Sequence, residues 1–359
     1  MWPRTELTGL LGIEHPIIQA PMAGSTTPAL AAAVGIAGGL GSIGCAKMSA
    51  EELMTTAADI RALTSQAFNF NFFAHSEARD ETQISPEVHT RLISAYQEKG
   101  LGEPPASAKS STSLYKTFNE EILQALLEIK PGVVSFHFGL PPSEMVDALR
   151  EAGCVILCSA TTVAEAEMLA RNGVDAIIAQ GWEAGGHRGT FEVSYEDFGI
   201  GTMALVPQIV DAVDVPVIAA GGIADGRGIA AAFALGASGV QLGSAFLSCP
   251  EASISEAHRE ALENARDDDT RLTRAFSGRP ARARNNRYME SMVERRNRFP
   301  DFPLMYHFST PLKQSSTRYD DDYGFLLYGQ AASLNRNLPA GELVAKLVAE
   351  AQALIYPAQ

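Results

Sequence analysis

Short apolar runs rich in valine and isoleucine recur along the chain, and alanine-rich stretches with helical spacing separate them. That alternation predicts repeated βα units and a parallel sheet. The runs predict strands over 16–22 (PIIQAPM), 38–44 (GGLGSIG), 68–73 (FNFNFF), 133–139 (VVSFHFG), 155–160 (VILCSA), 176–182 (AIIAQGW), 215–222 (VPVIAAGG) and 239–247 (GVQLGSAFL). The intervening helices carry start and stop signals. Thr27-Pro28 opens one, with proline where a missing N–H costs nothing. Thr162 caps a second that exits at Gly173, and Asp225 precedes a third that exits at Gly236.

Two segments break this rhythm. Residues 74–118 read as a polar insertion after the third strand, a helix plus loop. Residues 251–359 read as a helical extension capping what precedes them, with a basic middle (RLTRAFSGRPARARNNR) and an aromatic section (FPDFPLMYHF). Eight strands with helical crossovers predict an α/β fold, a closed (β/α)8 TIM barrel over 1–250, rather than an open doubly wound sheet. No G-x-G-x-x-G follows the first strand, which also argues against a dinucleotide-binding sheet.

In such a barrel chemistry sits where strands end. Those ends carry Met22-Ala23-Gly24, Asn71, His137, the run Gln180 to His187 with Gly185 and Gly186, then Gly221-Gly222, and Gly243-Ser244. Small residues, amides and imidazoles suit a large planar ligand lying against backbone. The glycines after the last two strands offer N–H groups for a phosphate without a lysine cluster. Glu183 and Arg188 read as a local ion pair, and His15, His75, His89, His258 and His307 carry no signal.

Composition narrows the partners. A hydrophobic share of 46% and a charged share of 19% describe a globular chain with a sizeable core. The net charge of 28 − 42 = −14 argues against nucleic acid and anionic membranes. The first residues lack a signal-peptide core, and no apolar run approaches the roughly 18 residues of a membrane span. Cys45, Cys154, Cys158 and Cys249 are scattered and read as buried thiols, with no metal site implied. A cytoplasmic protein fits. A tail of this length leaves a homo-oligomer open.

Together PIIQAPMAG, AGGLGSIG, FNFNFF, VSFHFG, AQGWEAGGHRG, PVIAAGGIADGRG, GVQLGSAFL and LLYGQ resemble the class I nitronate monooxygenases, FMN-dependent (β/α)8 enzymes formerly called 2-nitropropane dioxygenases. The resemblance runs from about residue 13 to residue 330. It implies flavin contacts at Met22, Ala23, Gly24, Asn71, Gln180, Gly185, Gly186, Gly221, Gly222, Gln241, Leu242, Gly243 and Ser244. His187 and His137 become the substrate-side histidines. A nitronate is a delocalised anion, so imidazole can donate to it or deprotonate its neutral parent.

The implied activity is O2-dependent denitrification of short alkyl nitronates such as propionate 3-nitronate, giving a carbonyl compound and nitrite. Family members place tyrosines and a lysine over the pocket from the tail. Phe302, Tyr306 and Lys313 are the candidates here, with Tyr306 on the substrate side and Tyr328 packing near the mouth. Two rivals remain: an NAD(P)H-driven FMN reductase of the same superfamily (enoyl-acyl-carrier-protein reductase II-like or NADH:quinone reductase), and a non-catalytic flavin or phosphate-ligand binder.

Overall fold

A computed structural model describes residues 4–76, 81–109, 115–192, 199–293, 299–316 and 322–356. Eight strands form one parallel sheet: β1 (Ile17–Gln19), β2 (Gly41–Gly44), β3 (Phe68–Phe73), β4 (Gly132–His137), β5 (Val155–Ala160), β6 (Ala176–Gln180), β7 (Val217–Ala220) and β8 (Gly239–Leu242). Their order is β1-β8-β7-β6-β5-β4-β3-β2. A parallel bridge between Ile18 and Leu40 closes the ring, with Gln19 N donating to the Leu40 carbonyl at 3.0 Å. The predicted TIM barrel is the fold.

Alternation along each strand divides the side chains between two cores. Phe68, Phe70 and Phe72 of β3 face the helix ring and join the main apolar cluster, whereas Asn69 and Asn71 lie at the alternate positions. One end of the barrel interior is packed by Ile18, Leu40, Val133, Leu157, Ile178 and Ile218. Leu7 and Leu11 of helix Glu6–Leu11 complete that cluster. This apolar packing fills one end of the barrel, and the mouth opens where the strands end at the other.

The predicted caps are present. Thr27 accepts from Leu30 N, Thr162 from Glu165 N, and Asp225 from Arg227 N and Gly228 N. All four cysteines are buried and free. β3 and β5 match their predicted bounds, and the other six strands stop short at one end or both. β4 stops at His137 because Phe138 (φ 73°) and Gly139 (φ 99°) turn the chain. β8 stops at Leu242, and the apolar residues Ala245–Leu247 belong instead to the short helix Ser244–Leu247.

The tail is more mixed than the helical cap expected of it. Helix Ala340–Ile355 packs between helices Gly226–Ala234 and Pro28–Ile36 and puts Leu343, Val344, Leu347 and Ala351 into the main core. It fills the ring position that the four-residue helix after β8 is too short to fill. Strands Thr270–Thr273 and Ala281–Arg284 pair antiparallel, and the second also pairs with Gly186–His187, placing Ala281 opposite His187.

The insertion holds helix Pro86–Glu98, capped by Ser85, and a short antiparallel pair, Glu81–Gln83 with Ser107–Lys109. Residues 77–80 and 110–114 of that segment lie outside the described residues. Val88, Leu92 and Tyr96 of this helix share a second apolar cluster with Tyr288, Phe308 and Leu312 of the tail. Tyr96 Oη donates to the Phe308 carbonyl at 2.8 Å. Insertion and tail therefore pack on each other. Among the described residues, no helix is long and apolar enough to cross a membrane.

Candidate active site

The hydrogen-bonded centre of the site is the main-chain carbonyl of His187. It accepts from His137 Nε2 and from Gln180 Nε2, each at 3.0 Å. The other half of the Gln180 amide accepts from Gly189 N at 2.7 Å. One residue at the end of β6 thus grips the loop on both sides of the histidine. A second grip comes from the tail, where the antiparallel pairing with Ala281–Arg284 continues as Arg188 N donates to the Pro280 carbonyl at 2.8 Å.

Proton positions follow from the partners. A carbonyl oxygen has no proton to give, so His137 Nε2 must carry one. His137 Nδ1 is then an acceptor, and Ser159 Oγ donates to it at 3.0 Å. Both ring nitrogens of His137 are occupied in holding the His187 loop. Among the described residues the imidazole of His187 bonds only at Nε2, to Ser277 Oγ at 3.0 Å. Its Nδ1 makes no hydrogen bond among the described residues.

Both imidazoles are neutral near neutral pH. Burial lowers His187 to about 3, with the cationic groups of Arg279 and Lys47 and neighbouring His137 adding to the shift. Burial likewise lowers His137 to about 4, opposed by its bond to the His187 carbonyl. A neutral imidazole with an unused nitrogen is a proton acceptor.

Apolar rings surround it. The centroids of Phe302, Phe138, Phe73, Phe325 and Tyr306 lie 5.6, 6.0, 6.1, 6.2 and 6.5 Å from that of His187. Tyr306 stacks on Tyr115 at 4.6 Å, and burial raises its phenol well above the ordinary range. Phe138 lies under the Arg279 guanidinium at 3.8 Å and holds a left-handed backbone, a strained conformation for a non-glycine residue.

A buried carboxylate fixes the far side of the loop. Glu165 accepts from Thr161 N and Oγ1, Thr190 Oγ1, Phe191 N and Glu192 N, between 2.7 and 3.2 Å. Glu183 does not take the role expected of it. Its carboxylate accepts from Thr202 N and Oγ1 at the start of helix Thr202–Val210, while Arg188 reaches the Thr161 carbonyl and the face of Trp182.

The residues expected around a planar cofactor stand at the strand ends that open on this mouth. Asn71 Nδ2 donates to Ser135 Oγ at 2.9 Å, which leaves its side-chain oxygen as an acceptor. Gly221 (φ 105°) and Gly222 (φ 72°) turn the chain after β7 in conformations that favour glycine. Among the described residues, the buried side-chain oxygen of Gln241 on β8 has no hydrogen-bond partner. At Gly243 a Cβ would meet only Ala20 Cβ at 3.7 Å, and at Gly24 nothing within 4 Å, so backbone is bare at both. An orphaned acceptor beside bare backbone fits an edge-bonded flavin.

Gly185 has another reason to be glycine, because a Cβ there would meet the Tyr328 carbonyl carbon at 2.4 Å. Tyr328 is buried at this contact, and its Oη donates to Asp269 at 3.2 Å. Gly186 (φ 76°) and Leu242 take their places beside His187 and at the end of β8.

Sequence reading missed Ser277, Ser159, Glu165, Arg279 and Tyr115. It also passed over His75, whose ring lies 4.9 Å from that of Phe302 and is lowered by burial to about 4. Ser159 at the end of β5 had a signal in its position. Ser277 had none, because only the pairing of tail with loop brings it to the mouth.

A closed parallel barrel with a neutral imidazole and bare glycine backbone at its mouth places the protein among the (β/α)8 enzymes, which carry their chemistry where the strands end. The family model for nitronate monooxygenase matches residues 4–350, and the chain belongs to that family, whose members are flavin-dependent oxidoreductases acting on nitronates. It is 45% identical over 347 residues to a nitronate monooxygenase of Pseudomonas aeruginosa, covering 96% of this chain and 98% of the relative. Among solved structures it is similar to the nitroalkane oxidase of Streptomyces ansochromogenes (TM-score 0.83, 38% identity, 96% and 97% coverage). It is also similar to FabK of Thermotoga maritima (TM-score 0.75, 31% identity, 98% and 97% coverage).

Proposed function

We propose that the protein binds FMN at the barrel mouth and uses O2 to convert short alkyl nitronates, such as propionate 3-nitronate, into carbonyl compounds and nitrite. The observation that carries this reading is the neutral His187, bonded at Nε2 alone among the described residues and set among apolar rings, in a barrel whose strand-end glycines leave backbone bare. Gln241, Asn71, Gln180, Met22 to Gly24, Gly221-Gly222 and Gly243-Ser244 would hold the cofactor. Bound FMN supplies the redox centre that accepts electrons from the substrate and delivers them to O2.

The chain's own residues do the rest. His187 receives the substrate, with Nδ1 able to take a proton from a neutral nitroalkane or, once protonated, to donate to a nitronate oxygen. His137 acts on His187 rather than on substrate, since both of its nitrogens are bonded. Phe73, Phe138 and Phe302 form a buried apolar cluster beside His187 that would exclude water and favour short carbon chains. Arg279 and Lys47 bias the field toward an anion. Buried thiols suit a cytoplasmic protein.

Nitrite release in air, measured with the FMN-loaded protein over a panel of short nitronates, tests the proposal. Release from at least one is expected, and silence across the panel overturns it. The similarity to FabK makes a reductase the competing reading. Rapid anaerobic bleaching of the flavin by NADH or NADPH, without nitrite formation in air, would establish that one instead.

A further inference from the structure

The tail places Ser277 against His187 through a turn rather than through chance packing. Residues 274–280 connect the two tail strands, and Gly278 N closes that turn on the Arg274 carbonyl at 2.8 Å. Ser277 is fully buried. Its Oγ lies 3.0 Å from the Arg279 carbonyl oxygen, 3.2 Å from Arg279 N and 3.0 Å from His187 Nε2.

These distances leave one arrangement of protons. Two oxygens at 3.0 Å repel unless a proton lies between them, and the carbonyl of Arg279 has none, so the serine hydroxyl donates to it. The amide of Arg279 donates to the serine oxygen. With its only proton committed, Ser277 can meet His187 Nε2 only as an acceptor, so Nε2 carries the hydrogen and Nδ1 carries the lone pair. We propose that Ser277, anchored on both main-chain groups of Arg279, is a positioning residue that sets the tautomer of His187 and makes Nδ1 the proton-accepting atom of the site.

The chemical consequence, though not the tautomer, rests on the function proposed above. With a neutral nitroalkane, the α-carbon proton passes to Nδ1. The electron pair of the broken C–H bond becomes the C=N bond of the nitronate, and negative charge settles on the two oxygens. The imidazolium formed keeps its Nε2–H on Ser277, whose own hydroxyl points on to the Arg279 carbonyl. A substrate supplied as the nitronate has already lost that proton and skips the step. Ser277 therefore discriminates between the two forms of one substrate, which a merely structural serine would not.

The test has two arms. In the flavin-loaded protein labelled with 15N-histidine, two-bond proton–nitrogen correlation spectra report the tautomer, and the His187 signals are identified by their loss in His187→Gln. A pyrrole-type Nε2 with a pyridine-type Nδ1 is expected in the unmodified protein, and a mixture of tautomers in Ser277→Ala. In the second arm, Ser277→Ala should lower kcat for nitroethane about tenfold or more, as expected when a catalytic imidazole loses its tautomer. It should change kcat/KM for the conjugate nitronate less than about twofold, and Ser277→Thr, which keeps the hydroxyl, should restore nitroethane turnover.

A pyridine-type Nε2 in the unmodified protein overturns the proposal. So does an equal loss on nitroethane and its nitronate in Ser277→Ala. If the unmodified protein releases nitrite from neither form, the function proposed above fails, while the spectra still decide the tautomer.

Discussion

His187, His137 and His75 are held neutral by burial, at about 3, 4 and 4, against an ordinary value near 6.5 for the unfolded chain. Between these limits the unfolded chain binds protons that the folded one refuses. Stability from this source is therefore complete above about pH 6.5 and falls as pH drops toward 4. Each group adds up to about 1.4 kcal/mol per pH unit. Urea midpoints should be lower at pH 5 than at pH 7, and His75→Phe should narrow that difference; equal midpoints would contradict neutral burial. At the same scale, Glu165→Ala strands five donors that converge on one carboxylate. A loss of about 3–5 kcal/mol in urea unfolding is expected, and Glu165→Gln, which keeps one acceptor oxygen, should cost less.

Helix Ala340–Ile355 belongs to the barrel's outer ring although about 100 residues separate it from β8 in the chain. Its contact with helix Gly226–Ala234 is close enough that a Cβ on Gly226 would meet Glu350 Cβ at 2.4 Å and Ala351 N at 2.6 Å. Gly226→Ala should push the two helices apart and destabilise the protein by about 1–3 kcal/mol, read as a lower Tm. An unchanged Tm would mean that the helix yields without loss. The helices and their caps were legible because Thr27, Thr162 and Asp225 act on donors within their own first turn. The ends of β4 and β8 were not, because a run of apolar letters does not say where φ changes sign or where a strand gives way to a helical turn.

The whole molecule carries −14, yet Lys47 and Arg279 both act on His187 at the mouth. A local positive field in an acidic protein favours entry of an anion and weakens with salt. For a nitronate, kcat/KM should fall as ionic strength rises, whereas for a neutral nitroalkane it should stay level. Lys47→Gln should flatten the nitronate curve, and a salt response shared by both substrates would remove the mouth charges as its cause.

Hydrophobic periodicity and strand-end chemistry were enough to specify the barrel, its order of βα units, and the polar mouth with His137, Gln180 and His187. Each of those signals is local, since a strand's alternation and a loop's glycines read the same whatever lies across the molecule. The tasks given to individual groups were settled by distant contacts. Pairing of Ala281–Arg284 with Gly186–His187 brought Ser277 to one imidazole, and the meeting of His137 Nε2 with the His187 carbonyl occupied a nitrogen of the other. A hydrogen bond depends on where two groups end up, and for segments some 90 residues apart only packing sets that.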